Sequence, residues 1–172
     1  MTLREEANVI IQESIKKVMP DEAVAKALSK KDFGKGTIYL VAAGKAAWQM
    51  AKAAKDILGN KLEKGIVVTK YGHVKETLAG MVCFEGGHPV PDENSFKGTQ
   101  AAIELVKNLK KEDTVLFLLS GGGSALFEKP LIPGNELADI TKQLLGCGAD
   151  IVEMNTIRKR LSAVKGGKFA EL

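Results

Sequence analysis

The stretch best suited to binding chemistry consists of Ser120, Gly121, Gly122, Gly123 and Ser124, in which two serines flank three consecutive glycines. It directly follows residues 114–119, an apolar run that is typical of a strand covered on both faces. Glycines permit positive φ angles that turn backbone N–H groups toward an anion, and each serine adds a hydroxyl. Because ligands of open α/β sheets bind at the carboxyl ends of strands, the stretch predicts a phosphate or carboxylate cradle. A flexible glycine turn without chemical consequence is the alternative.

A lysine follows the first apolar strand, which is predicted over residues 37–42. Gly44 and Lys45 come next, and a helix is predicted from about residue 46 to residue 58. A helix N-terminus and a flexible ammonium group both favour a bound phosphate or carboxylate. The spacing is neither that of a P-loop nor that of a dinucleotide fingerprint. Small neighbouring residues favour a functional Lys45, and a solvated surface lysine is the alternative.

The segment 155–167 concentrates polar and basic side chains. Asn155, Arg158 and Ser162 have the spacing of one helical face, and Lys165 and Gly166 follow in a flexible basic turn. This pattern predicts a second anion-binding group, in which Arg158 is capable of bidentate contact. A solvated basic helix face is the alternative.

A histidine lies in a loop that two glycines and two prolines hold in a defined shape, at residues 85–92. His88 is predicted either to orient a substrate or move a proton, or to brace the loop. His73 has the same ambiguity. No third group at metal-ligand spacing joins the two histidines, so we expect no metal site in this chain.

Short apolar strands alternate with helical segments along the chain, which is the βαβ pattern. It predicts a Rossmann-like α/β fold, with one mainly parallel sheet and helices on both faces. Thr2 and Glu5 match a capping box for a first helix, which we expect to be a packing element. Asn135 is expected to cap a helix that extends through Leu145. The predicted strands are residues 37–42, 65–69, 81–84 and 114–119.

The composition is that of an ordinary globular protein, with 172 residues of which 45% are hydrophobic and 27% are charged. Basic residues are scattered among acidic ones, so no nucleic-acid-binding stripe is evident, and the net charge of +4 fits an anionic small substrate. The sequence shows no run of membrane-spanning length and no signal peptide. Cys83 and Cys147 are widely spaced and indicate reduced thiols. We therefore expect a cytoplasmic protein without nucleic-acid or membrane partners, and leave a homo-oligomer open.

Four stretches in this order resemble the glycerate 2-kinase family of the type with a C-terminal MOFRL domain. They are AGKAA at 43–47, GGHPVPD at 86–92, LSGGGSAL at 119–126 and NTIRKRLSAVKGG at 155–167. The resemblance implies ATP-dependent phosphorylation of D-glycerate to 2-phosphoglycerate with Mg²⁺, in a cleft between a Rossmann-like domain and a smaller C-terminal domain. This chain has Arg160 where the family usually has histidine, so any role of that histidine is in doubt here.

The resemblance implies that Lys45 and Arg158 act in catalysis. It also implies that substrate or nucleotide phosphate is held by Ser120, Gly121, Gly122, Gly123, Ser124, Asn155, Lys165, Gly166 and His88. We expect residues 1–172 to be an incomplete N-terminal domain that lacks the C-terminal domain and is inactive alone. Two alternatives stay open: a hydroxypyruvate reductase that uses NAD(P)H, although no dinucleotide fingerprint supports it, and a non-catalytic anion-binding module.

Overall fold

The computed structural model describes all 172 residues and contains one four-stranded sheet in which every pair of neighbours is parallel. The strands are β1 (Ile38–Ala43), β2 (Leu62–Lys70), β3 (Met81–Gly86) and β4 (Thr114–Leu119), in the order β3-β2-β1-β4. The predicted strands and their parallel arrangement are confirmed, although β2 begins earlier than expected, at Leu62.

Seven α-helices accompany the sheet, and short 3₁₀ turns occupy residues 59–61 and 168–171. The helices are α1 (Leu3–Lys17), α2 (Pro20–Leu28), α3 (Ala47–Leu58), α4 (Glu93–Val106), α5 (Gly123–Leu126), α6 (Gly134–Gly146) and α7 (Ile151–Arg160). No helix combines the length and the apolar character that crossing a bilayer requires.

Helices cover both faces of the sheet, as the alternation of strands and helices predicts. Successive side chains of a strand point to opposite faces, and β1 shows this directly. Leu40 and Ala42 pack with α2 and α3 in one core cluster, whereas Val41 and Ala43 pack with α4 and α5 in a second. Alanines at buried positions of α3, such as Ala51, let that helix lie close to the sheet.

Strand β4 lies at an edge of the sheet, next to β1, and only one of its faces is well covered. Val115, Phe117 and Leu119 are 37%, 40% and 59% exposed. The expectation of a strand covered on both faces is therefore wrong for this face. A continuously apolar run shows that a strand can be buried on both sides, but it does not identify the elements that cover it.

Two local expectations about helices are also corrected. The capping box of Thr2 and Glu5 is present, yet α1 has no buried residue, so it is not a packing element within residues 1–172. Apolar periodicity shows that a helix has a face to bury and leaves the partner undefined. Helix α6 begins at Gly134 with Pro133 as its N-cap, so Asn135 lies inside the helix.

Candidate functional site

The site is organised by β1 and β4, which are neighbours although β2 and β3 intervene in sequence. The chain leaves β1 toward β2 on one side, and β4 occupies the other side, so the strand order reverses between them. This is the topological switch point at which open α/β sheets bind their ligands. Because Ala43 pairs with Leu119, the turns that follow the two strands lie side by side. The Lys45 N–H donates to the carbonyl of Gly121 at 2.9 Å and joins these turns.

Two glycines in these turns have positive φ angles and closely packed surroundings. Gly44 has a φ of 121°, and a Cβ there would collide with the backbone and hydroxyl of Ser120. Gly122 has a φ of 88°, and a Cβ there would lie 2.9 Å from the Cδ2 and Nε2 atoms of His88. Both positions therefore require glycine, for conformational and for steric reasons.

The glycine turn presents three backbone donors that the protein does not use. The N–H of Gly123 donates to the Ser120 carbonyl at 3.1 Å, but the N–H groups of Gly121, Gly122 and Ser124 have no hydrogen-bond partner in the chain. We call these three groups the anion cradle. Unpaired N–H groups gathered in one turn, next to positive-φ glycine, form a concave site for an anion.

Lys45 lies over the anion cradle. Its Cε is 3.9 Å from the position that a Cβ on Gly121 would take, and its Cγ is 3.3 Å from the corresponding position on Gly122. The side chain is exposed, and its ammonium group makes no ion pair or hydrogen bond within the chain. The structure therefore brings together a free cation and free N–H donors, as the sequence predicts for Lys45 and the glycines.

Ser120 faces into the protein. Its hydroxyl accepts a hydrogen bond from the Ala46 N–H at 3.0 Å and lies 3.5 Å from the Ala43 carbonyl. Ala46 is the N-cap of α3, and no side chain of the first helical turn accepts from its N–H, so Ser120 supplies the acceptor from the turn after β4. Direct phosphate binding by Ser120 stays a prediction, and the hydrogen bond shows a supporting role for it.

Ser120→Ala is expected to lower the free energy of unfolding by about 1 kcal/mol, since the Ala46 N–H loses its acceptor. For a protein of this size the melting temperature should fall by about 2–4 °C. Ser124→Ala is the matched control, because the Ser124 hydroxyl is exposed and makes no hydrogen bond. Thermal unfolding of the two variants measures the difference, and equal melting temperatures would remove the supporting role.

Two further side chains support the turn at Lys45. The buried Thr69 donates from its hydroxyl to the Gly44 carbonyl at 2.9 Å. The Nδ1 atom of His73 lies 2.7 Å from the Lys45 carbonyl oxygen. Because a carbonyl can only accept, Nδ1 carries the proton in this hydrogen bond. Sequence reasoning missed Thr69, and the available signal was a polar residue directly after the apolar run 66–68, near the carboxyl end of β2.

The loop that carries His88 is held by Asp92. The Asp92 carboxylate caps α4 by accepting from the Ser95 N–H at 3.0 Å, and it accepts from the Tyr71 hydroxyl at 2.8 Å. Burial acts to raise the pKa of Asp92, but hydrogen bonds from Ser95, Tyr71 and Gly87 lower it below its ordinary value. The loop places the half-buried His88 against Gly122, and neither ring nitrogen has a hydrogen-bond partner in the chain.

The basic residues near the C-terminal end of the chain contact the opposite side of the glycine turn. Arg158 donates from Nη2 to the Ser124 carbonyl at 3.3 Å. Lys165 donates from Nζ to the same carbonyl at 2.6 Å and to the Phe127 carbonyl at 3.0 Å. Its Nζ also lies 3.1 Å from Oε2 of Glu128, with which it forms an ion pair. The donors of Lys165 are thus engaged within the protein.

The pKa of Lys165 lies below the ordinary value for lysine. Burial is the largest cause because it disfavours the charged ammonium, and the nearby Arg158 acts in the same direction. The carboxylate of Glu128 opposes both effects. Glu128 is therefore the residue that favours a charged Lys165 at this position.

The remaining predicted residues border an open groove of about 840 Å³ beside the glycine turn, which is also lined by the partly exposed face of β4. Its rim includes Gly123, Ser124, Asn155, Lys165 and Gly166. Arg158 instead borders a smaller cavity of about 180 Å³ with the prolines of the His88 loop and α6. The predicted residues therefore form two adjoining clusters around the glycine turn, and Arg160 is exposed outside both.

The chain does not by itself assemble a recognisable metal centre. No three His, Cys, Asp or Glu side chains are grouped so that they could hold a metal ion. Two carboxylates on this side of the molecule are engaged within the protein, Asp92 in capping α4 and Glu128 in its ion pair with Lys165. Residues 1–172 therefore offer no ready-made group of side-chain ligands for Mg²⁺.

Comparison with known proteins finds relatives along almost the whole chain. A D-glycerate 2-kinase from Thermotoga maritima is 52% identical over 172 residues, which are 99% of this chain and 41% of that protein. The crystal structure of a glycerate kinase from the same organism superimposes with a TM-score of 0.92 and 53% identity, over 98% of this chain and 41% of that one. A protein of Agrobacterium vitis with the provisional name hydroxypyruvate reductase is 41% identical over 80% of this chain and 36% of its own length.

The chain spans about two-fifths of the length of the curated proteins it matches. The resemblance that the four sequence stretches indicate is confirmed, and so is the α/β fold. The sequence pattern of a family described as a domain of unknown function, DUF4147, matches residues 6–172. That match includes the glycine turn, Lys45 and the basic segment, and the chain therefore belongs to the DUF4147 family.

Proposed function

We propose that this domain supplies the phosphate-binding half of a D-glycerate 2-kinase, a cytoplasmic enzyme that transfers the γ-phosphoryl group of ATP to the 2-hydroxyl of D-glycerate. The observation that carries the proposal is the anion cradle of Gly121, Gly122 and Ser124 with the side chain of Lys45, whose ammonium is unpaired, against the same turn. The names of the Thermotoga maritima relatives support the choice of reaction. The whole protein would have a length comparable to those relatives.

Phosphoryl transfer depends mainly on positioning and on neutralising charge, since the protein has little covalent chemistry to perform. The 2-hydroxyl oxygen of glycerate attacks the γ-phosphorus, a new P–O bond forms, the bond to ADP breaks, and the hydroxyl loses its proton. The cradle N–H groups are suited to phosphate oxygens, and Lys45 is suited to the charge of the transferred group. His88, which lies beside Gly122, would orient the hydroxyl or accept its proton.

Mg²⁺ ordinarily bridges nucleotide phosphates in such reactions and neutralises their charge. Residues 1–172 do not group the side chains that would hold it. We therefore assign no step to the metal, and restrict the roles of this domain to anion binding, charge neutralisation and proton handling.

A second candidate function is the reduction of hydroxypyruvate, which the provisional name of the Agrobacterium vitis relative suggests. A reductase would need a nicotinamide nucleotide, and the turn after β1 lacks the G-x-G-x-x-G spacing that binds one. An anion-binding role without turnover is the remaining candidate for the domain by itself.

Assay of the whole protein distinguishes these candidates. Incubation with ATP and D-glycerate should release ADP and give 2-phosphoglycerate, which ³¹P NMR separates from the 3-phosphate isomer. L-glycerate serves as the stereochemical control. Hydroxypyruvate with NADH or NADPH should cause no loss of absorbance at 340 nm. The reverse result, with reduction and no ADP release, would replace the kinase by the reductase.

A further inference from the structure

A buried carboxylate lies beneath the glycine turn, and the proposed kinase chemistry does not use it. The side chain of Glu128 is 1% exposed, and neither of its oxygens accepts a hydrogen bond of acceptable geometry. Its one ion pair is with Lys165, whose side chain is 13% exposed. Apolar residues of similar volume often replace such a pair without loss of stability, so stability alone does not account for it.

The position of the pair relates it to the anion cradle. Lys165 Nζ binds the carbonyl of Ser124, the second residue of the four-residue helix α5, and that of Phe127, its C-cap. A cation at this end stabilises carbonyls that have no partner within the helix. Ser124 also carries one of the three free N–H groups, so Lys165 fixes the backbone of a residue that belongs to the cradle.

We propose that Glu128 is a positioning residue of the anion cradle. Its carboxylate draws Lys165 Nζ into the protein, where the ammonium holds the Ser124 and Phe127 carbonyls, and this keeps the Ser124 N–H aligned with those of Gly121 and Gly122. Lys165 then acts on the backbone, and not as the anion clamp that its sequence position suggests. The proposal rests on the proposed function only in taking nucleotide phosphate as the natural anion.

Positioning and electrostatics predict different effects for Glu128→Gln. Removal of the carboxylate charge makes the local potential more positive when Lys165 keeps its proton, and leaves the net charge of the pair unchanged when Lys165 loses it, so this effect alone does not weaken anion binding. Loss of the tether on Lys165 loosens the cradle and weakens binding, because preorganised donors bind best in a fixed geometry. A free Lys165 that clamped the anion would favour tighter binding. The sign of the change therefore identifies the role of Glu128.

The test is titration calorimetry of the whole protein with inorganic pyrophosphate and with ATP, accompanied by thermal unfolding of each variant. Glu128→Gln is expected to weaken pyrophosphate binding by about tenfold, and to raise the KM for ATP more than it lowers kcat. Glu112→Gln is the matched control, because this exposed glutamate precedes β4 at the opposite end of the sheet and should leave the affinity unchanged.

A second variant separates positioning from folding. The double variant Glu128→Leu/Lys165→Met replaces the ion pair by apolar side chains, so it should melt close to the wild type and still bind pyrophosphate weakly. Unchanged or tighter binding in Glu128→Gln and in the double variant would overturn the proposal, as would a wild type that binds no pyrophosphate. If pyrophosphate binding weakens as expected but no ADP forms with D-glycerate, the positioning role stands and the kinase proposal fails.

Discussion

Gly122→Val is expected to abolish the binding of ATP and inorganic pyrophosphate to the whole protein. Gly122 has a φ of 88°, which costs a residue with a Cβ about 1–2 kcal/mol and is worse for a β-branched one. The new Cβ would also lie 2.9 Å from the His88 imidazole. Relief of both conflicts requires the glycine turn to move, and this movement displaces the Gly121 and Gly122 N–H groups of the cradle.

Gly146→Ala is the control for this experiment. A Cβ on Gly146 meets no atom within 4 Å, and its φ lies outside the strained range, so the change tests glycine replacement away from the site. Calorimetric titration with pyrophosphate measures affinity, and circular dichroism verifies that each variant is folded. A folded Gly122→Val protein with wild-type affinity for pyrophosphate and for ATP would exclude the glycine turn from the binding site.

Lys45→Ala is expected to lower kcat/KM for D-glycerate phosphorylation at least tenfold, or about 1.4 kcal/mol. The reason is that the Lys45 side chain lies against the glycine turn and its ammonium has no partner in the chain, so its charge is available to a bound anion. The fold should be unaffected, because the bonds that hold the turn use the Lys45 backbone and not its side chain. A coupled assay of ADP release measures the change.

Lys111→Ala is the matched control for Lys45→Ala, since Lys111 is exposed and lies at the amino end of β4, far from the glycine turn. Its kinetic constants should equal those of the wild type. Lys45→Arg retains the charge on a bulkier group and should recover only part of the activity. Equal kcat/KM for Lys45→Ala and the wild type, with the fold intact, would make Lys45 an ordinary surface lysine.

Features that depend on residues close together in sequence could be predicted from the sequence alone. Three glycines after an apolar strand predict a turn with exposed N–H groups, and Lys45 after the first strand predicts a cation at a strand-to-helix turn. Both features depend on backbone conformation over a few residues, which local residue types control. The α/β class follows from the same kind of local pattern, repeated along the chain, and the structure confirms it.

The hydrogen-bond partners of the Ser120 and Lys165 side chains could not be predicted in this way. Each side chain was expected to face an anion, which stays a prediction, and the structure shows that each also hydrogen-bonds to backbone distant in sequence, Ser120 to Ala46 and Lys165 to Ser124. Polar residue type shows that a side chain needs a partner, but the partner depends on which turns the sheet brings together. Thr69 and Glu128 were missed for the same reason, because their contacts join separate elements.

The sequence by itself determined the identity of the strands, the glycine turn, the position of Lys45 and the likeness to glycerate 2-kinases. These properties follow from side-chain period, from glycine conformation and from motifs within short stretches. Only the tertiary structure decided that β1 and β4 are neighbours, that one face of β4 is partly exposed, and that Glu128 pairs with Lys165. Strand order and buried pairing are contacts over long sequence separations, which the packing of whole elements selects and local residue patterns do not encode.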